Sequence, residues 1–127
     1  LHLLLAEDNE LNSEIATALL EEQGASITAV ENGRLALEAI QNAAPRTYDA
    51  ILMDVMMPEM NGLEATRCIR AFEGKGPGEG TPIIAMTANV FADDVKACLD
   101  AGMNSHVGKP LDMKVLIGEI LKYTDAR

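Results

Sequence analysis

The residues of this chain that can do chemistry stand where apolar runs stop. The stretch YDAILMDVMMPEMNG, residues 48–62, drives Ile51, Leu52 and Met53 straight into a carboxylate, Asp54. A charge in apolar surroundings is costly, so Asp54 must be paired, bound to a metal or protonated. Two more acids, Glu7 and Asp8, follow the run HLLLA; a hydroxyl, Thr87, follows PIIAM; an ammonium, Lys109, follows SHVG. Each has a plain use when taken singly. Glu7 and Asp8 could favour a helix N-terminus, Asp54 a turn, Thr87 a cap, and Lys109 the surface. The seven methionines read as packing and loop filler.

The elements that must position these groups alternate. HLLLAE reads as a strand. ELNSEIATALLEEQG follows, with Leu11, Ile15, Leu19, Ala16 and Leu20 at helical spacing and Gly24 closing it. ASITAV is β-branched and extended. GRLALEAIQNA is a helix with Leu37 and Ile40 inward, and DAILMD is the third strand. NGLEATRCIRAF is a helix capped by Asn61, with Glu64 placed for a capping box. EGKGPGEG is a Gly-rich connector without phosphate-loop spacing. TPIIAMTA, FADDVKACLDAG, SHVGK and LDMKVLIGEILKYT then give strand, helix, strand and helix. In the last, Met113, Leu116, Ile117, Ile120 and Leu121 share a face.

Such alternation predicts an α/β fold, a parallel sheet with helices on both faces. Ligand sites in these sheets lie outside the carboxyl ends of the strands. Glu7, Asp8, Asp54, Thr87 and Lys109 all occupy that edge.

Bulk properties narrow the classes. The 127 residues fit one domain with a real core, drawn from 48% apolar but only 3% aromatic residues. A net charge of −10 argues against nucleic acid and against an anionic membrane surface. It favours a cationic partner or a metal ion, or simply an acidic, soluble surface. Cys68 and Cys98 read as free thiols, too few for a disulfide framework. No apolar run reaches the roughly 18 residues of a membrane span, and no signal peptide is visible. The chain opens at Leu1 directly into a strand and reads as a domain cut from a longer protein.

LLAEDNELN, ILMDVMMPEMNGLEATRCIR, PIIAMTAN and AGMNSHVGKP together resemble the receiver domain of two-component response regulators, most closely that of hybrid sensor histidine kinases. The resemblance covers essentially residues 1–127. It implies a doubly wound, flavodoxin-like sheet of five strands in order 2-1-3-4-5 with five helices. Asp54 is then the phosphoacceptor, taking a phosphoryl group from a phosphohistidine. Glu7, Asp8, Asp54 and the Met56 carbonyl hold Mg²⁺. Thr87 is the switch hydroxyl, and the Lys109–Pro110 peptide is cis. Ala88 leaves a path for the donor, while Met56 and Asn89 flank the site. His106 stands where the family usually has Tyr or Phe, and is expected to tune coupling without touching chemistry.

The chemistry of the residues agrees with this resemblance. Crowded carboxylates repel, and one responds by holding a proton. A hard cation relieves them, and Mg²⁺ takes one or two carboxylates with waters and phosphate oxygens. Lys109 supplies further positive charge. The implied partners are a histidine kinase's phosphohistidine domain or a histidine-phosphotransfer domain, in the cytoplasm, with a parent protein that can be anchored in the inner membrane. Docking is expected near Leu11, Asn12 and Pro110, with Arg46 and Arg127 on the far side. Two other classes stand beside this one. A degenerate receiver that only binds partners would usually have lost an acid or the lysine. A phosphatase of the haloacid dehalogenase type wants a second Asp two residues after the first, where this chain has Met56.

Overall fold

The computed structural model describes residues 1–88 and 92–124. Strand and helix alternate as β1 (His2–Ala6), α1 (Glu10–Glu22), β2 (Ser26–Val30), α2 (Gly33–Asn42), β3 (Ala50–Asp54), α3 (Gly62–Glu73), β4 (Ile83–Thr87), α4 (Ala92–Ala101), β5 (Ser105–Gly108) and α5 (Met113–Thr124). The five strands form one parallel sheet in the order β2-β1-β3-β4-β5. This is the doubly wound order expected from the resemblance.

Side chains alternate across a strand, so each strand feeds two cores. Leu4, Ala6, Ile51, Met53, Ile83 and Ala85 face α2, α3 and α4 through Ala36, Ile40, Ala65, Ile69 and Cys98. Leu3, Leu5, Leu52, Ile84 and Met86 face α1 and α5 through Ala16, Leu20, Leu116 and Ile120. Every residue of the central strands β3 and β4 is buried. Parallel strands covered on both faces require this, which is why they read as unbroken apolar runs.

Local signals set the helix starts. Asn9, Asn32 and Asn61 each accept, through the side-chain oxygen, the backbone N–H three residues on, at 2.9, 2.8 and 2.9 Å. They thereby satisfy a donor that has no partner inside its helix. At the other end, α3 stops at Gly74 in the left-handed region, φ 65°.

The apolar spacing of α1 has a second meaning. Ala16 and Leu20 are buried, but Leu11, Ile15 and Leu19 are 64%, 50% and 37% exposed. The stripe is wider than the strip of sheet it covers, so its outer row faces solvent. With Pro110, Leu111 and Met113, the Ile15 and Leu19 side chains of that row border a cavity of about 480 Å³ that opens beside Glu7 and Lys109. On α5, Leu116 and Ile120 are buried while Leu121, expected on the same face, is 43% exposed.

Candidate phosphoacceptor site

β1 and β3 lie side by side where the strand order reverses, the place at which such sheets open a crevice. Ala6 stands opposite Met53, so the next residues, Glu7 and Asp54, meet at the carboxyl edge. Thr87 stands opposite Gly108, and the next residue, Lys109, donates its backbone N–H to Thr87 O at 2.9 Å. The sheet register therefore delivers two acids, a hydroxyl and an ammonium to one place.

Their geometry is tight. Lys109 Nζ donates to Glu7 Oε2 at 2.9 Å and lies 3.0 Å from Asp54 Oδ2. Glu7 Oε1 accepts the Asn9 N–H at 3.2 Å, and Asp54 Oδ1 accepts the Met56 N–H at 3.4 Å. Glu7, Asp8 and Asp54 offer carboxylate oxygens within 4.8 Å of one another, with Glu7 and Asp54 buried and Asp8 exposed.

Electrostatics follow from this crowding. Burial pushes the Asp54 carboxyl above its ordinary value; the Lys109 hydrogen bond pulls it down, the Glu7 charge pushes it up again, and the net direction is upward. For Lys109, burial pulls down, but hydrogen bonds to Glu7 and Asp54 and their charges outweigh it, so its ammonium is held above the usual lysine range. A single lysine bridges two buried acids with a third beside them, so negative charge is in excess. Hard carboxylate oxygens gathered under an uncompensated charge fit a small divalent cation.

The remaining expected residues are spread around this cluster. Thr87 is 6% exposed at the last position of β4. Met56 lies in the loop after β3, 78% exposed. Ala88 is exposed in a bend, and Asn89 lies outside the described residues. The Lys109–Pro110 peptide is cis. His106 is half-buried in β5 opposite Ala85, on the strand that leads to Lys109.

Sequence reasoning missed the glycines that hold the site. A Cβ on Gly62 would collide with the Asp54 carbonyl oxygen and come within 3.0 Å of Met53 Cγ. The signal was there to read: Gly is a poor helix residue, yet it opens both α2 and α3, each time behind a capping Asn.

A family model for the response regulator receiver domain matches residues 3–121. The probable histidine kinase 1 of Oryza sativa subsp. indica is 41% identical over 88% of this chain, which spans only 14% of that kinase. The crystal structure of the receiver domain of sensor histidine kinase PA1611 from Pseudomonas aeruginosa PAO1, with a magnesium ion coordinated in its active site cleft, superposes with a TM-score of 0.84. It is 37% identical, over 98% of this chain and 97% of that one. The receiver domain of Ssk1 from Saccharomyces cerevisiae, solved in a co-crystal with the histidine phosphotransfer signaling protein Ypd1, superposes with a TM-score of 0.87. It is 26% identical, over 98% and 89% of the two chains.

Proposed function

The chain belongs to the response regulator receiver family, and from that premise we propose that Asp54 accepts a phosphoryl group from a phosphohistidine in a phosphorelay. The observation that carries this reading is the Lys109 ammonium held between Glu7 and Asp54 at the carboxyl edge of the sheet. An Asp54 oxygen attacks phosphorus while the P–N bond to the donor imidazole breaks. The imidazole leaves with the bonding pair and takes up a proton, and Asp54 becomes an acyl phosphate. Little else is required than position and charge neutralisation. Lys109 already lies 3.0 Å from Asp54, so its ammonium meets a phosphoryl oxygen there. The Thr87 hydroxyl and the Ala88 N–H, next along the chain, complete the cradle.

Glu7, Asp8, Asp54 and the Met56 carbonyl would hold Mg²⁺. When bound, the ion neutralises charge on the carboxylates and on the incoming phosphoryl group. A relative of the same fold holds a magnesium ion in its active site cleft, which supports a Mg²⁺ site in this fold. The donor is a kinase's phosphohistidine or a phosphotransfer domain, and it works in the cytoplasm. The exposed row Leu11, Ile15 and Leu19, of which Ile15 and Leu19 line one cavity with Lys109, offers it an apolar landing face from which the phosphohistidine must come within about 3 Å of Asp54 for in-line transfer. The Ypd1 complex of a relative supports a partner of that kind. Arg46 borders a cavity with Thr47 and Phe72 away from this face, and Arg127 lies outside the described residues. Among the described residues no helix is long and apolar enough to cross a membrane. His106 tunes the link between Asp54 and the β4–β5 surface.

Beryllofluoride with Mg²⁺ mimics the phosphoryl group and tests the reading. Amide spectra should shift around Asp54, Thr87 and Lys109, and Asp8→Asn should weaken Mg²⁺ about tenfold, roughly 1.4 kcal/mol for a lost charged ligand. Unchanged spectra would leave only a partner-binding module.

A further inference from the structure

We infer that Gly33 is a positioning residue for the loop that follows Asp54, and through that loop for the metal ligands. The inference rests on the metal-dependent phosphoacceptor reading above. The loop leaves Asp54 at Val55 and returns to α3 at Asn61. It is held at both ends by helix N-termini. Val55 O accepts the Gly62 N–H at 2.9 Å, and Met60 O accepts the Gly33 N–H at 2.9 Å. Each donor belongs to the first residue of its helix, a group with no partner inside the helix. Thus α2, which supplies none of the proposed ligands, grips the far end of the loop.

The loop needs such a grip. Met60 N–H folds back on Pro58 O at 2.7 Å, and Glu59 between them has φ 64°. A three-residue turn with a left-handed central residue is rare and strained unless glycine occupies it. Strain of this kind persists only where the surroundings over-determine the backbone. Met57 and Met60 add to the hold by joining the apolar cluster that contains Ala36 and Ile40 of α2.

Glycine at position 33 answers a demand for space. Its φ lies outside the left-handed region, so the backbone alone would admit any residue. A Cβ there would collide with Met60 O and come within 2.9 Å of both Ala65 Cβ and Asn61 O. Two of these three are backbone atoms of the loop and its helix junction, which cannot swing aside as a side chain would. Adding a methyl group pushes the loop away from α2. The other end of that short loop carries Met56, whose N–H meets the Asp54 carboxylate at 3.4 Å. The displacement therefore reaches the ligand set without removing any ligand.

The test separates position from stability. Gly33→Ala should weaken Mg²⁺ binding, measured by calorimetry, by tenfold or more. Asn32→Ala removes the α2 cap but leaves the Gly33 contact in place, so it lowers stability while its Mg²⁺ affinity stays within twofold. A folded Gly33→Ala protein with wild-type affinity overturns the inference, as does equal weakening in both variants. Should Gly33→Ala not fold, amide exchange in the wild-type protein decides. Mg²⁺ should slow exchange at Gly33 at least fivefold more than at Leu35, whose N–H is held within the cap; an equal change at both overturns the inference. Wild-type protein that binds no Mg²⁺ would instead remove the phosphoacceptor reading itself.

Discussion

Two cations, Arg70 buried and Lys109 half-buried, hold the two ends of the sheet, and their surroundings differ in one decisive respect. At the amino end, Arg70 is hydrogen-bonded through all three of its guanidinium nitrogens. Its Nε donates to Gly102 O at 2.9 Å, one terminal nitrogen to Glu73 Oε1 at 2.9 Å and Thr81 O at 2.8 Å, and the other to Asn104 Oδ1 at 2.9 Å. Glu73 is occupied in turn, accepting the Thr81 hydroxyl and N–H at 2.6 and 3.1 Å. One charge meets one charge, and neutral carbonyls and an amide complete the guanidinium's fork. At the carboxyl end, Lys109 serves Glu7 and Asp54 with Asp8 beside them, and charge does not balance. A closed network has nothing left to bind and serves the fold. An open one, in which a carboxyl is already held above its ordinary pKa, costs stability and is poised to take a cation and a phosphoryl group.

The largest expected effect comes from breaking the closed end. Arg70→Ala leaves Glu73 uncompensated and two backbone carbonyls without their donor, which should cost about 3–5 kcal/mol in urea unfolding. Mg²⁺ affinity should be unchanged in the folded variant. A loss of affinity as large as that of Asp8→Asn would show that the two ends are not independent.

Removing the cation at the open end should cost less. Without divalent cations, Lys109→Ala should destabilise by about 2 kcal/mol, the scale of charge-assisted hydrogen bonds, because Glu7 and Asp54 lose their donor. The folded-state pKa of Lys109 is raised, so its contribution is fully present below 10.5 and lost as pH rises through the higher folded value. The wild-type advantage over Lys109→Ala should therefore shrink only in strongly alkaline solution. Added Mg²⁺ should bind the variant and recover part of the loss, while the phosphoryl-dependent change is impaired.

The smallest effect has the opposite sign. Asp54 has a raised folded-state pKa, so the folded protein holds its proton more tightly than the unfolded chain does. Its ionisation opposes folding, and the penalty appears as pH rises from 3.8 through the folded value. Without divalent cations, Asp54→Asn should therefore stabilise by about 1 kcal/mol at neutral pH, in line with removing an unbalanced buried charge. The gain should disappear below pH 3.8, where both states hold the proton. A destabilised Asn variant at neutral pH would mean that Lys109 balances the site fully.

The open end was legible in the sequence and the closed end was not, for a physical reason. Strand-end positions follow from apolar runs, and a parallel sheet brings all its carboxyl ends to one edge, so the order of residues alone groups Glu7, Asp54, Thr87 and Lys109. Arg70 sits in EATRCIRAF like any helix charge, and its partner Asn104 is 34 residues away in a turn with no pattern of its own. Periodicity likewise marked Leu11, Ile15 and Leu19 as one face of α1 but carries no information about what covers it. The grip of Gly33 depends on how closely α2 approaches a loop, a distance that spacing along the chain does not encode.

Phosphate placement is the direct test of the account. The protein is incubated with Mg²⁺ and a phosphohistidine donor, and the modified residue is mapped by mass spectrometry. One alkali-labile phosphate on Asp54, absent from Asp54→Asn, is the predicted result. Phosphate on a serine or threonine, or undiminished labelling of Asp54→Asn, would contradict it.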